Sequence, residues 1–247
     1  MAKELFENIQ NKKQKLYSLL SKAKEYNWLS DSEFTEYAAK LDNDVLTIGV
    51  IGQMKAGKST FLNAFVFEDD VLPAATTPMT AALTVITYGE NKQLSAEFYT
   101  ENEWQEQLLT AQTPIQDGMS ESQISKIKAA KELVEKSDVI KDEMPSLLGK
   151  TIEDDFEKLI EYVGANGKYV SITKSVKIFY PKEYLKGVRI VDTPGFNDPI
   201  VSREERTKEF LKEADVVLFM LYAGRPFDAT DREILFKDVA HCGMGKV

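Results

Sequence analysis

Eight consecutive residues, Gly52-Gln53-Met54-Lys55-Ala56-Gly57-Lys58-Ser59, follow the spacing G-x-x-x-x-G-K-S/T, and they constrain this chain more than any other feature. Glycines at the first and sixth positions let the backbone wrap tightly, so that successive N–H groups point at an anion. A lysine at the seventh position reaches phosphate oxygens, and the hydroxyl at the eighth can ligate Mg²⁺. The motif works only between a buried strand and a helix N-terminus. Both flanks comply: Leu46 to Ile51 is a short apolar run, and Ser59-Thr60-Phe61-Leu62-Asn63-Ala64-Phe65 reads as the opening turns of a helix. Gly52, Gln53, Met54, Lys55, Ala56, Gly57, Lys58, Ser59 and Thr60 are therefore the expected phosphate-binding residues.

Beyond the loop, strand-like and helix-like segments alternate. Residues 81–88 are β-rich and close at Gly89; Val176 to Tyr180 alternates and stops at Pro181; Gly187 to Asp192 is a third strand. Ser202-Arg203-Glu204-Glu205 has the capping-box pattern and opens a helix to about Glu213. The apolar strand Val216–Tyr222 follows Asp215, and Thr230-Asp231-Arg232-Glu233 reads as a second capping box whose helix stops at Gly243. This order predicts an α/β fold: a mostly parallel sheet with helices on both faces. Two stretches stand outside it. Residues 1–43 form an N-terminal helical segment, with Leu5, Phe6, Ile9, Leu16, Leu19, Leu20 and Ala23 at helical spacing and a second helix from Asp31 to Leu41. Its apolar stripe fits a helical bundle beside the nucleotide domain of 44–247; a helix lying on a membrane surface is the alternative. Residues 91–174 interrupt the domain as a helical insertion, with helices near 101–111, 121–137 and 152–163, started by Thr100-x-x-Glu103 and Ser120-x-x-Gln123 and stopped at Gly164.

Composition narrows the partners. Forty Asp and Glu against 31 Lys and Arg give a formal charge of −9, which argues against nucleic acid, whose backbone needs clustered cations. The single Cys242 allows no internal disulfide, and the lone His241 makes no metal site. The N-terminus lacks the apolar core of a signal peptide, and no apolar run reaches the roughly 20 residues of a spanning helix. A cytoplasmic chain is expected, with peripheral attachment to a membrane left open.

A second phosphate signature lies where a strand ends, at Asp192-Thr193-Pro194-Gly195. After a phosphate-binding loop, D-x-x-G places a carboxylate near Mg²⁺ and a glycine N–H near the γ-phosphate. A nucleotide switch also needs a hydroxyl from an irregular loop. Pro73-Ala74-Ala75-Thr76-Thr77-Pro78-Met79-Thr80 supplies one, with Thr80 the first choice and Thr77 the reserve. Ser59, Thr80 and Asp192 are thus the expected metal residues, and Gly195 joins the nucleotide-binding set.

Taken together, Gly52–Thr60, Leu72-Pro73 with Thr77-Pro78-Met79-Thr80, Asp192-Thr193-Pro194-Gly195 and Ala214-Asp215-Val216-Val217-Leu218-Phe219 resemble the GTPase domain of the dynamin family, and more closely its bacterial branch. The resemblance covers about 44–90 and 176–247. It implies a P-loop GTPase-type sheet, GTP and Mg²⁺ as ligands, pairing of two copies across their nucleotide faces, hydrolysis stimulated by that pairing, and work on membranes through regions outside this chain. It also implies that the domain continues past Val247, since the N/T-K-x-D motif that reads guanine is absent after Asp192.

Three positions depart from GTPase patterns, one from that of the Ras-like enzymes and two from that of the dynamin family. The water-orienting glutamine that Ras-like enzymes carry after D-x-x-G is Phe196 here, and the dynamin Gln-Ser pair inside the loop is Met54 and Lys55. Lys55 could supply positive charge in cis, or simply sit solvated on the rim; Lys55, Lys58, Thr80 and Gly195 are the catalytic candidates. Arg225 reads as a loop arginine or as a contact to a partner domain. The departures keep two other readings open: a slow nucleotide-switched binding module without a mechanical role, and a P-loop ATPase.

Overall fold

The computed structural model describes residues 2–42, 45–53, 55–73, 82–194, 214–224 and 227–239. It divides into two compact units, Met1–Val45 and Leu46–Val247.

The first unit is a helical hairpin of α1 (Ala2–Glu25) and α2 (Asp31–Asp42), as the apolar spacing predicts. Asn27 turns the chain with φ 56°, and the Trp28 N–H reaches back to the Ala23 carbonyl at 2.8 Å. Ser30 then starts α2. Its hydroxyl accepts from the Glu33 N–H at 3.2 Å while the Glu33 carboxylate accepts from the Ser30 N–H at 2.9 Å. Lys24 pairs with Asp31 at 3.0 Å across the turn.

The second unit is built on a seven-stranded sheet. Its strands are β1 (Leu46–Gly52), β2 (Leu83–Tyr88), β3 (Gln93–Phe98), β4 (Thr151–Asp155), β5 (Thr173–Tyr180), β6 (Val188–Asp192) and β7 (Val216–Met220). Their order across the sheet is β4-β3-β5-β2-β6-β1-β7. The helices are α3 (Lys58–Leu62, widening to i→i+5 turns over Asn63–Phe67), α4 (Glu101–Gln112), α5 (Glu121–Ser137), α6 (Met144–Leu147), α7 (Leu159–Val163) and α8 (Ala229–Glu233, continuing over Ile234–Val239).

Alternate side chains of the central strands feed opposite faces of the sheet. Val50, Ile86 and Ile190 belong to one core with Leu62 and Val66 of the α3 segment, Trp104 of α4, Leu133 of α5 and Tyr162 of α7. Ile51, Leu83, Val191 and Val217 belong to the other with Ile234 and Val239. Both faces of β1 are therefore covered, which is why its sequence is an almost unbroken apolar run.

The structure corrects three sequence readings. The sheet is mixed rather than mostly parallel: β1–β6, β1–β7 and β2–β5 run parallel, while β2–β6, β3–β5 and β3–β4 run antiparallel. Only Gly89–Lys92 joins β2 to β3, too short for the crossover that a parallel connection requires. Second, the 91–174 stretch is not helical throughout. Its helices at 101–112 and 121–137 carry the two expected capping boxes, at Thr100/Glu103 and Ser120/Gln123. The expected helix at 152–163, however, begins as strand β4, and only Leu159–Val163 is α-helical. Acidic Glu153, Asp154 and Asp155 look like a helix start, but Ile152 pairs opposite Ala96 and the ladder to β3 overrides that local preference. Third, α8 starts one residue after Asp228, not at Thr230: Asp228 and Asp231 form the capping box, and β7 ends at Met220 rather than Tyr222. The predicted helix from Ser202 to Glu213 and the stop at Gly243 lie outside the described residues, as do His241 and Cys242.

Candidate functional site

The phosphate-binding loop is shaped by two glycines that do different jobs. Gly52 ends β1 against β7, where a Cβ would come within 2.4 Å of the Met220 carbonyl oxygen, so no side chain fits. Gly57 caps α3 with φ 89°, a left-handed conformation that glycine adopts without penalty. Lys55 takes φ 63° without being glycine, a conformation that costs roughly 1–2 kcal/mol and concentrates at functional loops. Its side chain is exposed, as is that of Thr60, while Ala56 is buried.

Lys58 is only 8% exposed. Its ammonium donates to the carbonyls of Gly52 and Gln53, each at 3.2 Å, and so lies inside the curl of the loop. The next residue, Ser59, donates its hydroxyl to Asp192 Oδ2 at 3.0 Å. Asp192 arrives from β6 because that strand runs parallel to β1, with Asp192 opposite Val50. Thr193 fixes the exit of the strand, its hydroxyl donating to the Val50 carbonyl at 3.0 Å. Burial pushes the Asp192 carboxyl up to about 6; the Lys58 ammonium and the Ser59 hydroxyl work against that rise. Asp192 Oδ1 is buried with no hydrogen-bond partner among the described residues. A buried carboxylate oxygen without a donor, beside a serine hydroxyl and within a lysine's field, fits a divalent cation shared with phosphates.

Of the sequence-predicted residues, Gly52, Gln53, Lys55, Ala56, Gly57, Lys58, Ser59, Thr60 and Asp192 are described, and Lys58, Ser59 and Asp192 converge. Met54, Thr77, Thr80, Gly195, Phe196 and Arg225 lie outside the described residues.

Two supports of the site escape the sequence reading. Asn63, 7% exposed, donates to the Leu72 carbonyl at 2.8 Å and accepts from the N–H groups of Leu72 at 2.7 Å and Val71 at 3.2 Å. It clamps the chain just ahead of Pro73, but nothing in the sequence distinguishes it from any helical asparagine. The Gln53 side chain donates to Asp228 and Asp231 at the start of α8. The D-x-x-D spacing of those two aspartates was the available signal for the cap, and the overlapping Thr230-x-x-Glu233 obscured it.

A family model described as the dynamin family matches residues 48–243, most of the chain. The chain belongs to the dynamin family. Its fold is that of the family's GTPase domain, an α/β P-loop sheet. Dynamin-like protein 1 of Campylobacter jejuni is 31% identical over 204 residues, covering 82% of this chain and 26% of that protein. Dynamin-like protein A of Bacillus subtilis is 28% identical, covering 83% of this chain and 18% of the relative. Among solved structures, an oligomerised bacterial dynamin pair, described as a mechanism for long-range sensing and tethering of membranes, superposes with a TM-score of 0.64 at 27% identity. That match covers 94% of this chain and 30% of the other. This dynamin-family chain thus spans less than a third of each of these relatives. No described helix is long and apolar enough to cross a membrane.

Proposed function

We propose that residues 44–247 form the nucleotide domain of a GTP-hydrolysing dynamin-type protein, with residues 1–43 contributing to a helical bundle. The observation that carries this reading is the convergence of Lys58, Ser59 and Asp192 at the loop of a dynamin-family domain. Gly52 to Thr60 cradle the phosphates of GTP, with loop N–H groups and the Lys58 ammonium meeting their charge. Ser59 and Asp192 hold Mg²⁺, joined by Thr80, and Gly195 meets the γ-phosphate. When bound, the cation neutralises charge on the β- and γ-phosphates. Lys58 leaves the carbonyls of Gly52 and Gln53 to bind phosphate, and Lys55 on the exposed rim adds positive charge in cis. Two copies pair across their nucleotide faces, and the whole protein works on a membrane surface through regions outside this chain, like the bacterial dynamin pair it resembles.

The test is steady-state release of phosphate from GTP and from ATP by the full-length protein, at rising protein concentration and with Mg²⁺ or EDTA. Turnover per molecule that rises with concentration, selects GTP and stops in EDTA is the expected result. A rate that stays flat with concentration supports the slow switch instead, and equal use of ATP overturns the guanine assignment.

A further inference from the structure

Residue 53 sits where three elements meet. Its backbone carbonyl accepts from Lys58 Nζ at 3.2 Å and from the Ala56 N–H at 3.2 Å. Its side-chain Nε2 donates to Asp228 Oδ1 at 3.0 Å and to Asp231 Oδ1 at 2.8 Å. Only the NH₂ end of an amide can face two carboxylates, so the chemistry fixes the orientation of the side chain.

The two aspartates have a second task. The Asp231 N–H donates to Asp228 Oδ1 at 2.9 Å, and the Asp228 N–H donates to Asp231 Oδ2 at 3.3 Å, closing the cap of α8. Capping alone is satisfied by a serine or threonine facing a glutamate or glutamine. Carboxylates at both positions hold enough lone pairs to close the box and still accept from Gln53. Asp231 is 2% exposed, so its contact with Gln53 is largely shielded from water. A neutral amide with two N–H donors is well suited to bridging two neighbouring negative charges.

We propose that Gln53 is a positioning residue for phosphate binding, tying the second peptide of the loop to the start of α8 through Asp228 and Asp231. This rests on the reading that the loop binds GTP. Gln53 acts through the backbone: with the side chain anchored, the Gln53 carbonyl stays where it accepts from Ala56 and Lys58 and shapes the turn of the loop. The loop is held at its start from two sides, by the tight seat of Gly52 against Met220 and by the anchor of Gln53 on α8.

Titration calorimetry of the full-length protein with GTP and Mg²⁺ tests the proposal. Gln53→Leu keeps the size and removes the donor, and GTP should bind about tenfold more weakly. Gln53→Glu places a third carboxylate against two and should weaken binding at least as much. Adding Asp228→Ser and Asp231→Asn to Gln53→Glu reverses donor and acceptor: the serine hydroxyl accepts from the residue 231 N–H and donates to the new carboxylate, while the asparagine accepts from the residue 228 N–H through its oxygen and donates through its NH₂, and affinity should return to within about threefold of wild type. A general loss of structure would not be repaired by that reversal. If Gln53→Leu fails to fold, the Gln53→Glu series decides alone. Gln53→Leu binding within twofold of wild type, or a triple variant no tighter than Gln53→Glu, overturns this inference and leaves the nucleotide reading standing. Wild-type protein that binds no GTP overturns both.

Discussion

The two ends of the seven-stranded sheet were specified in different ways. At the β1–α3 end, a contiguous run of residues does almost everything: strand, loop, cap and ligand groups lie within Leu46–Phe67. At the β3–β4 edge, neighbours in space are distant in sequence. Ala96 pairs with Ile152 and Glu97 with Thr151, while Ser175 donates to the Glu97 carboxylate at 2.7 Å. Yet Val50, Leu62, Trp104 and Leu133 share one core. Local motifs can therefore announce a ligand, but the platform that carries the motif is held by contacts no motif announces.

The largest expected effect probes whether the two ends are one cooperative unit. Trp104, 2% exposed, lies in α4 far from the loop in sequence. Trp104→Ala should cost about 3–5 kcal/mol in urea unfolding, with a single transition reported equally from both ends. Two separated transitions would break the picture of a shared core. Next in size, Lys58→Ala should lower GTP turnover by about 100-fold, equivalent to ~2.7 kcal/mol. Comparable turnover in phosphate-release assays would remove Lys58 from the chemistry. Asn63→Ala leaves the Leu72 N–H and carbonyl without their partner and should cost about 2 kcal/mol, measured by the same unfolding experiment. A cost below about 0.5 kcal/mol would show that water replaces the clamp. The smallest effect belongs to the exposed cap of α4: Thr100→Ala should lose about 1 kcal/mol, and Thr100→Ser almost nothing.

Legibility follows the same division. Strands β1, β2, β5 and β6 and helices α1, α2, α4 and α5 were readable because their apolar period or capping residues lie within one element. Strand β4 was not, since Thr151-Ile152-Glu153-Asp154-Asp155 has poor intrinsic strand preference and becomes a strand only because β3 offers a ladder. At the site, Lys58, Ser59 and Asp192 were legible from two motifs separated by well over a hundred residues. Asn63 and the partnership of Gln53 with Asp228 and Asp231 were not, because an amide's role depends on what lies opposite it.

The sequence by itself determined the phosphate-binding loop, the strand before it, the helix after it and the second signature at Asp192, since backbone wrapping, capping and apolar period act over a few neighbouring residues. Only the tertiary structure decided the mixed strand order, the strand character of β4, the burial that leaves Asp192 Oδ1 without a donor among the described residues, and the anchoring of Gln53 on α8. These depend on which distant segments meet, and that is settled by how the whole chain buries its apolar surface and satisfies its polar groups together.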